Sequence, residues 1–332
     1  MRRLFALVAA AAMVAGSIAI RSRMDREDEE QASPLRLVCA AELERACDAL
    51  RRTTATVTVE RAVVTAERLG RSTADDTGVD GWLVPAPWPQ IVDGRRRQSG
   101  QASLFGDVSA PLARSPLVLV VRKTLADTLA PRCGGTVGWK CLGDAAAAGQ
   151  AKPGHPDPSA DAVGTLVVGQ ATAAFFGRAD DLSNFDLDEA GFARWFQALE
   201  RATPPLASGG SPLNEMLGTN FAAYDSVGTI EAEAAPVLAS SAPAVRDRVT
   251  LLYPSPMATA DVVLAGAGGD TVRRLREVAG SDSVRRALAD DGWRVEGVGR
   301  PRPDGPPLPP TNGLPSPGFL DAVRSRAEEV RR

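Results

Sequence analysis

Lys152-Pro153-Gly154-His155-Pro156-Asp157-Pro158-Ser159-Ala160-Asp161 leads directly into Ala162-Val163-Gly164-Thr165-Leu166-Val167-Val168 and on to Phe175-Phe176-Gly177. Three prolines in the first half fix φ and remove backbone donors, so that half cannot be a helix interior. From Ala160 to Phe176 the chain is apolar almost all round, the pattern of a buried helix. Ser159 is the expected N-cap, and Asp161 falls in the first turn, where the helix dipole favours a carboxylate. Gly177 is the expected stop. A rigid loop opening onto a helix N-terminus leaves N–H groups free to meet a ligand. An ordinary capped helix after a loop is the plainer alternative.

Working outward, the chain has 332 residues, enough for one large or two medium domains. Its hydrophobic content of 44% supports a sizeable core. A net charge of −3 gives no support to nucleic acid or to a polybasic membrane contact. At the N-terminus, Arg2-Arg3 followed by the apolar run Leu4–Ile20 reads as a targeting segment. As a helix that run spans about 25 Å, short of a hydrocarbon core of about 30 Å. Two readings stay open: a cleaved signal peptide, with Ser17-Ile18-Ala19 as its small-x-small site, and a retained membrane anchor. Residues 1–33 stand apart from the fold on either reading, Arg21–Ser33 being a charged spacer. Either way the rest of the chain is exported, held at the extracellular face of the membrane or secreted.

Cysteine usage agrees with export. Cys39, Cys47, Cys133 and Cys141 allow three connectivities. The two local pairs each span eight positions and lie far from one another, which favours Cys39–Cys47 and Cys133–Cys141. A metal site would want closer cysteine spacing and more histidine, and His155 is the only histidine in the chain. Neither a metal nor a cofactor is expected.

Short apolar strands alternate with helices along the chain. Strands are expected at 35–39, Thr56–Val59, Val79–Val84, Leu117–Val121, Tyr224–Ile230, Val249–Tyr253, Asp261–Ala265 and Trp293–Val295. Helices are expected at Ala40–Arg52, Lys123–Leu129, Asp144–Gln150, Asp188–Arg201, Leu213–Leu217, Glu231–Leu238, Asp270–Val278 and Ser281–Asp290. Arg95-Arg96-Arg97 reads as a solvated face. Pro301–Pro317 reads as a linker, and Gly318–Arg332 as a charged amphipathic helix. The alternation argues for an α/β class with parallel sheets.

The order of motifs carries a resemblance. Asp80-Gly81-Trp82-Leu83-Val84-Pro85 with Trp88 comes first, then Ala113-Arg114-Ser115-Pro116 running into Leu117–Val121, and Gly138-Trp139 ahead of Leu142. His155-Pro156-Asp157-Pro158-Ser159, Tyr224-Asp225 before a strand, Leu252-Tyr253-Pro254 and Asp291-Gly292-Trp293-Arg294 complete it. Over roughly residues 35–296 this resembles the type 2 periplasmic (extracellular) solute-binding proteins, near the molybdate- and sulfate-type binders. The tail Asn312-Gly313-Leu314-Pro315 with its helix is similar to actinobacterial members. The resemblance implies a two-lobed α/β fold, each lobe a mostly parallel sheet flanked by helices, with the ligand cleft between lobes. Residues 34–123 and 246–300 would form lobe one, 124–245 lobe two, and 301–332 a linker and C-terminal helix. It implies the substrate-binding component of an ABC-type transporter, with a small-molecule ligand, a permease partner and membrane contact only through the N-terminal segment. The alternative is a membrane-tethered sensor or interaction module that reuses the fold without transport.

The residues it places around the ligand are Ala40, Glu42, Trp88, Ser115, Ser159, Ala160, Asp161 and Asp225. One departure matters. Oxyanion-binding relatives carry hydroxyl residues just after the first strand, whereas this chain has Cys39-Ala40-Ala41-Glu42, with no hydroxyl and an added carboxylate. With Asp161 and Asp225 that argues against a small dianion, and leaves a neutral, cationic or organic ligand, or none. Enzyme chemistry finds little footing. His155 is wedged between Gly154 and Pro156 with no nucleophile paired to it by sequence. Gly266-Ala267-Gly268-Gly269 lacks the spacing of a nucleotide-binding loop, and the acidic pairs Asp75-Asp76 and Asp180-Asp181 read as solvated loops.

Overall fold

The computed structural model describes residues 35–53, 55–73, 77–205, 210–266, 268–298 and 304–332; residues 1–33, with the export or anchor segment, and Asp75-Asp76 lie outside them. The unit Arg36–Arg332 begins with β1 (Arg36–Ala40), a 3-10 turn at Ala41–Leu43, α1 (Glu44–Arg51), β2 (Thr56–Glu60), α2 (Ala62–Arg71), β3 (Gly81–Pro85) and α3 (Trp88–Gln98). It continues through β4 (Asp107–Val108), β5 (Ala113–Arg122), α4 (Lys123–Leu129), α5 (Trp139–Ala147), β6 (Pro153–Gly154), α6 (Ala162–Phe176), α7 (Asn184–Leu187) and α8 (Ala190–Ala202). Then come α9 (Pro212–Asn214), a π turn at Glu215–Thr219, β7 (Ser226–Ile230), α10 (Glu231–Ser240), α11 (Pro243–Arg246), β8 (Val249–Leu252) and β9 (Thr259–Gly266). Helices α12 (Gly269–Ala279), α13 (Asp282–Asp290) and α14 (Pro317–Arg331) end the chain.

The strands form one sheet in the order β2-β1-β3-β9-β5-β7-β6, with β4 on β9 and β8 on β5. At one edge β1 runs parallel to β2 and β3, as the helical crossovers α1 and α2 require. β6 and β7 are likewise parallel, while the ladders involving β9 and β5 with β3, β7 and β8 are antiparallel. The sheet changes hands along β5. Ala113–Pro116 pair with β9, whereas Leu117–Val121 pair with β7 and Leu119–Arg122 with β8. Pro116 sits at that change, where a residue with no N–H to donate does least damage to a ladder. The continuous apolar run Leu117–Val121 is wholly buried, as its sequence demands. The helix–strand alternation therefore holds, and all five tryptophans are buried.

Several local expectations are corrected. Ser159 does not cap α6. Asp157 O accepts from Ala160 N (3.0 Å) and Asp161 N (2.8 Å), closing a turn over Pro158-Ser159-Ala160, so helical geometry begins only at Ala162. Asp161 is the N-cap, its Oδ1 accepting from Val163 N (2.7 Å) and Gly164 N (3.3 Å). Gly177, at φ 68°, ends the helix as expected. α5 starts at Trp139 rather than Asp144, because the indole is buried and donates to Gln170 Oε1 on α6 (3.1 Å). The Arg95-Arg96-Arg97 run is the last turn of α3, a favourable place for cations. Only Arg97 is solvated in the expected way. Arg96 is 3% exposed and donates to the carbonyls of Leu69, Ser72 and Ala102, while Arg95 pairs with Asp321. The described part of the Pro-rich tail is packed rather than free. Proline supplies no N–H, so the tail's carbonyls turn to donors elsewhere in the fold. Pro309 O and Thr311 O accept from Arg114, Pro306 O from Arg294, and Asn312 O from Thr259 N.

Candidate cleft at the start of α6

Glu42 stands on the 3-10 turn that follows β1, directly after the strand end fixed by the Cys39–Cys47 disulfide. Its side chain reaches two helix N-termini. Oε2 accepts from Ala62 N, the first residue of α2 (3.4 Å), and Oε1 accepts from Ala162 N, the first residue of α6 (3.3 Å). α2 belongs to the β1–β3 edge of the sheet and α6 follows the β6–β7 edge, so this one carboxylate joins elements on either side of β5. Both N-termini offer unpaired donors and a positive dipole end, which is why a carboxylate settles there.

Asp161 takes the next two N–H groups of α6, so its first three backbone donors are all spent on carboxylates. Burial pushes Asp161 up to about 7, reinforced by the charges of Glu42 and Glu233 and opposed by the Val163 and Gly164 N–H groups. Burial also raises Glu42, against its backbone hydrogen bonds and Arg61. Glu233 is itself held by Ser211 Oγ (2.5 Å) and by the Thr229 hydroxyl. The site is thus acidic and short of solvent. The donor geometry that a small anion would use is already taken. Among the described residues no cluster of His, Cys, Asp and Glu is placed to hold a metal ion.

The expected ligand residues divide into three groups. Glu42, Ser159, Ala160 and Asp161 come together as partly buried groups around the start of α6. Within that group Ser159 donates its hydroxyl to Asp157 Oδ1 (2.8 Å), and the Ala160 and Asp161 N–H groups are bonded to Asp157 O. Ala40, at the end of β1, and Trp88, the first residue of α3, are 0% exposed; the Trp88 indole nitrogen has no partner among the described residues. Ser115 is also interior, at 1% exposure, its Oγ accepting from Ala232 N (2.9 Å) at the start of α10. Asp225 is at the far end of β7 from that contact, about 16 Å away at ~3.3 Å per residue. There it pairs with Arg122 (2.9 Å) and accepts from Lys152 N (2.9 Å).

Two buried charge clusters went unmarked in the sequence. Glu231 accepts a two-pronged contact from Arg294 (2.7 and 2.6 Å) and a hydrogen bond from Tyr253. Glu200 meets His155 Nε2 (3.0 Å) and Arg331 Nε (2.6 Å). Their partners are 63, 45 and 131 positions apart, so no local spacing announces them. Burial alone would raise Glu200, yet the charges and hydrogen bonds of His155 and Arg331 hold it below the usual carboxylate range. Both disulfides are formed in the expected pairing, Cys39–Cys47 and Cys133–Cys141. Among the described residues no helix is long and apolar enough to cross a membrane.

No family model matches the chain, and no curated protein does. Solved structures do. FutA2 from Synechocystis PCC6803, in its apo form, superposes with a TM-score of 0.57 at 17% identity, over 90% of this chain and 99% of its own. A protein described as Atu4243-GABA receptor gives 0.53 at 13% identity over 90% and 98%. An ABC transporter protein from Clostridium perfringens ATCC 13124 gives 0.52 at 10% identity over 90% and 100%. What the chain shares with them is the fold, a mixed α/β sheet flanked by helices, over 90% of its length.

Proposed function

We propose that this chain is an extracytoplasmic solute-binding protein whose ligand is neutral or cationic, serving as the substrate-binding component of an ABC-type transporter. The reading takes the sheet as two lobes, Arg36–Pro116 with Thr259–Val298 and Leu117–Leu252, hinged where β5 and the 253–258 segment pass between them. The partner change at Pro116–Leu117 supports drawing the division there rather than at Lys123 and Arg246. Export is supported by two formed disulfides, which persist in oxidising compartments. The observation that carries the ligand class is the Glu42–Asp161 pair on the N-termini of α2 and α6. A dianion brought there would meet two carboxylates and no free donor.

The test is a thermal-shift and calorimetric screen over sugars, amino acids, polyamines and oxyanions. A neutral or amine-bearing solute should raise Tm saturably. Asp161→Asn should weaken an amine-bearing hit about tenfold or more, the scale of one lost charge-assisted hydrogen bond. Saturable binding of molybdate or sulfate, unaffected by Glu42→Gln and Asp161→Asn, would overturn the reading.

A further inference from the structure

The C-terminal helix lies across both proposed lobes. α14 packs on α3 of the first and on α6 and α8 of the second. Phe319, Leu320, Val323 and Ala327 form its buried face, none more than 3% exposed. Each end is fastened by a charge contact to a different lobe. Near its start, Asp321 takes a two-pronged contact from Arg95 of α3 (2.9 and 2.5 Å). Arg95 and Arg324 hold the Asp321 carboxyl below its usual range although burial opposes them. One residue before the chain ends, Arg331 meets Glu200 of α8 (2.6 Å) and His155 Nε2 (3.0 Å), both partners buried. Immediately before Asp321, Leu320 fills the space that a side chain at Gly169 of α6 would need; a Cβ there would lie 2.2 Å from Leu320 Cδ2. The preceding segment is tied to the crossing strands themselves, through Arg114 to Pro309 and Thr311 and through Thr259 to Asn312.

We propose that α14 is a strap that fixes the separation of the two lobes, fastened to one by Arg95–Asp321 and to the other by Arg331–Glu200–His155. This rests on the two-lobe reading above. In a hinged protein an element packed on both sides of the hinge stores the difference between open and closed states, because it cannot keep both contact sets when the lobes rotate. Releasing either fastening therefore frees the hinge, and restoring it closes the hinge again. Opening of the cleft is gated by whatever detaches α14.

The experiment uses the whole exported chain without ligand. Asp321→Arg places two cations together. Combined with Leu320→Asp it removes the apolar anchor as well, so release of α14 is assured even if the single change leaves it docked. Hydrogen exchange should quicken about tenfold or more across 317–331, and also at the Ala162 amide and along 113–122. The radius of gyration by X-ray scattering should rise. Charge exchange in Arg95→Asp/Asp321→Arg should return both readouts to the wild-type values. Release of α14 with unchanged radius of gyration and unchanged exchange at Ala162 would overturn the strap. Glu42→Ala, measured in parallel, separates the two ideas. If it expands the chain while release of α14 does not, the lobes stand and the strap falls. If neither expands it, the two-lobe reading falls with the strap.

Discussion

Asp161 does two things at once that pull against each other. As N-cap it satisfies Val163 and Gly164 N–H and supports α6, an effect worth about 1 kcal/mol. As a recessed charge beside Glu42 and Glu233 it is held up to about 7. A carboxylate whose folded value lies above its unfolded value stabilises the fold fully below the unfolded value, near 4. That contribution is lost as pH rises through the folded value. The chain should therefore lose stability between about pH 4 and pH 7 through this residue. Asp161→Asn keeps the cap, since asparagine caps as well as aspartate, and removes the titration. In urea melts it should gain about 1–2 kcal/mol over wild type at pH 8 and nothing at pH 4, after allowing for solvent reaching the site. Equal differences at both pH values would show that Asp161 stays charged throughout. The opposite sign belongs to Glu200. Its lowered value means that stability present above about pH 4.5 drains away as acid protonates it.

Among elements, α6 and α14 illustrate how a helix that is apolar on every side finds its partners. α6 buries Ala162 to Ala173 completely, with the sheet beneath and α5 and α14 against it. Gly164 lets the first turn sit on the Pro156 carbonyl, and Gly169 lets α14 close on the helix through Leu320. Gly169→Ala should destabilise by about 1–3 kcal/mol, the usual penalty for overpacking, although alanine is the better helix former. Adding Leu320→Ala should recover part of that loss, because the clash is removed and a cavity is left instead. Chemical denaturation of the two single changes and the double change reads the coupling. Additive losses would mean that the two residues do not share a contact in solution.

At the scale of the molecule the two disulfides differ in access more than in loop length. Cys39 on β1 and Cys47 on α1 are 0% exposed, while Cys133 and Cys141 are partly exposed and tie the loop before α5 to its first turn. Native protein in mild reductant should be alkylated at Cys133 and Cys141 only. Cys39 and Cys47 should follow only when denaturant opens the fold. Mass spectrometry with peptide mapping gives the count; four thiols appearing together would contradict the burial of the first pair. Losing the buried bridge should lower stability by about 2–3 kcal/mol, as expected for a short closed loop. It should also loosen the strand end that carries Glu42.

The sequence by itself determined the α/β class, the placement of most strands and helices, both disulfides and the buried helix that Gly177 ends. Each of these is set by local rules: period, β-branching, proline and glycine punctuation, and short loop closure. Asp161 was marked by its place in the first turn of a helix, whereas Glu42 was marked through the family resemblance. What needed the tertiary structure was every pairing at long range. No spacing predicts that Glu42 spans to Ala162, that Arg294 finds Glu231, or that Arg331 reaches back to Glu200 and His155. Those partners are chosen by which elements the sheet lays side by side. For the same reason the burial of Ser115, Ala40 and Trp88, which the resemblance places around the ligand, was decided only when β5, β1 and α3 packed. The described part of the Pro-rich tail, which reads as a linker because proline cannot support a ladder of its own, is packed because its carbonyls are what Arg114 and Arg294 bind.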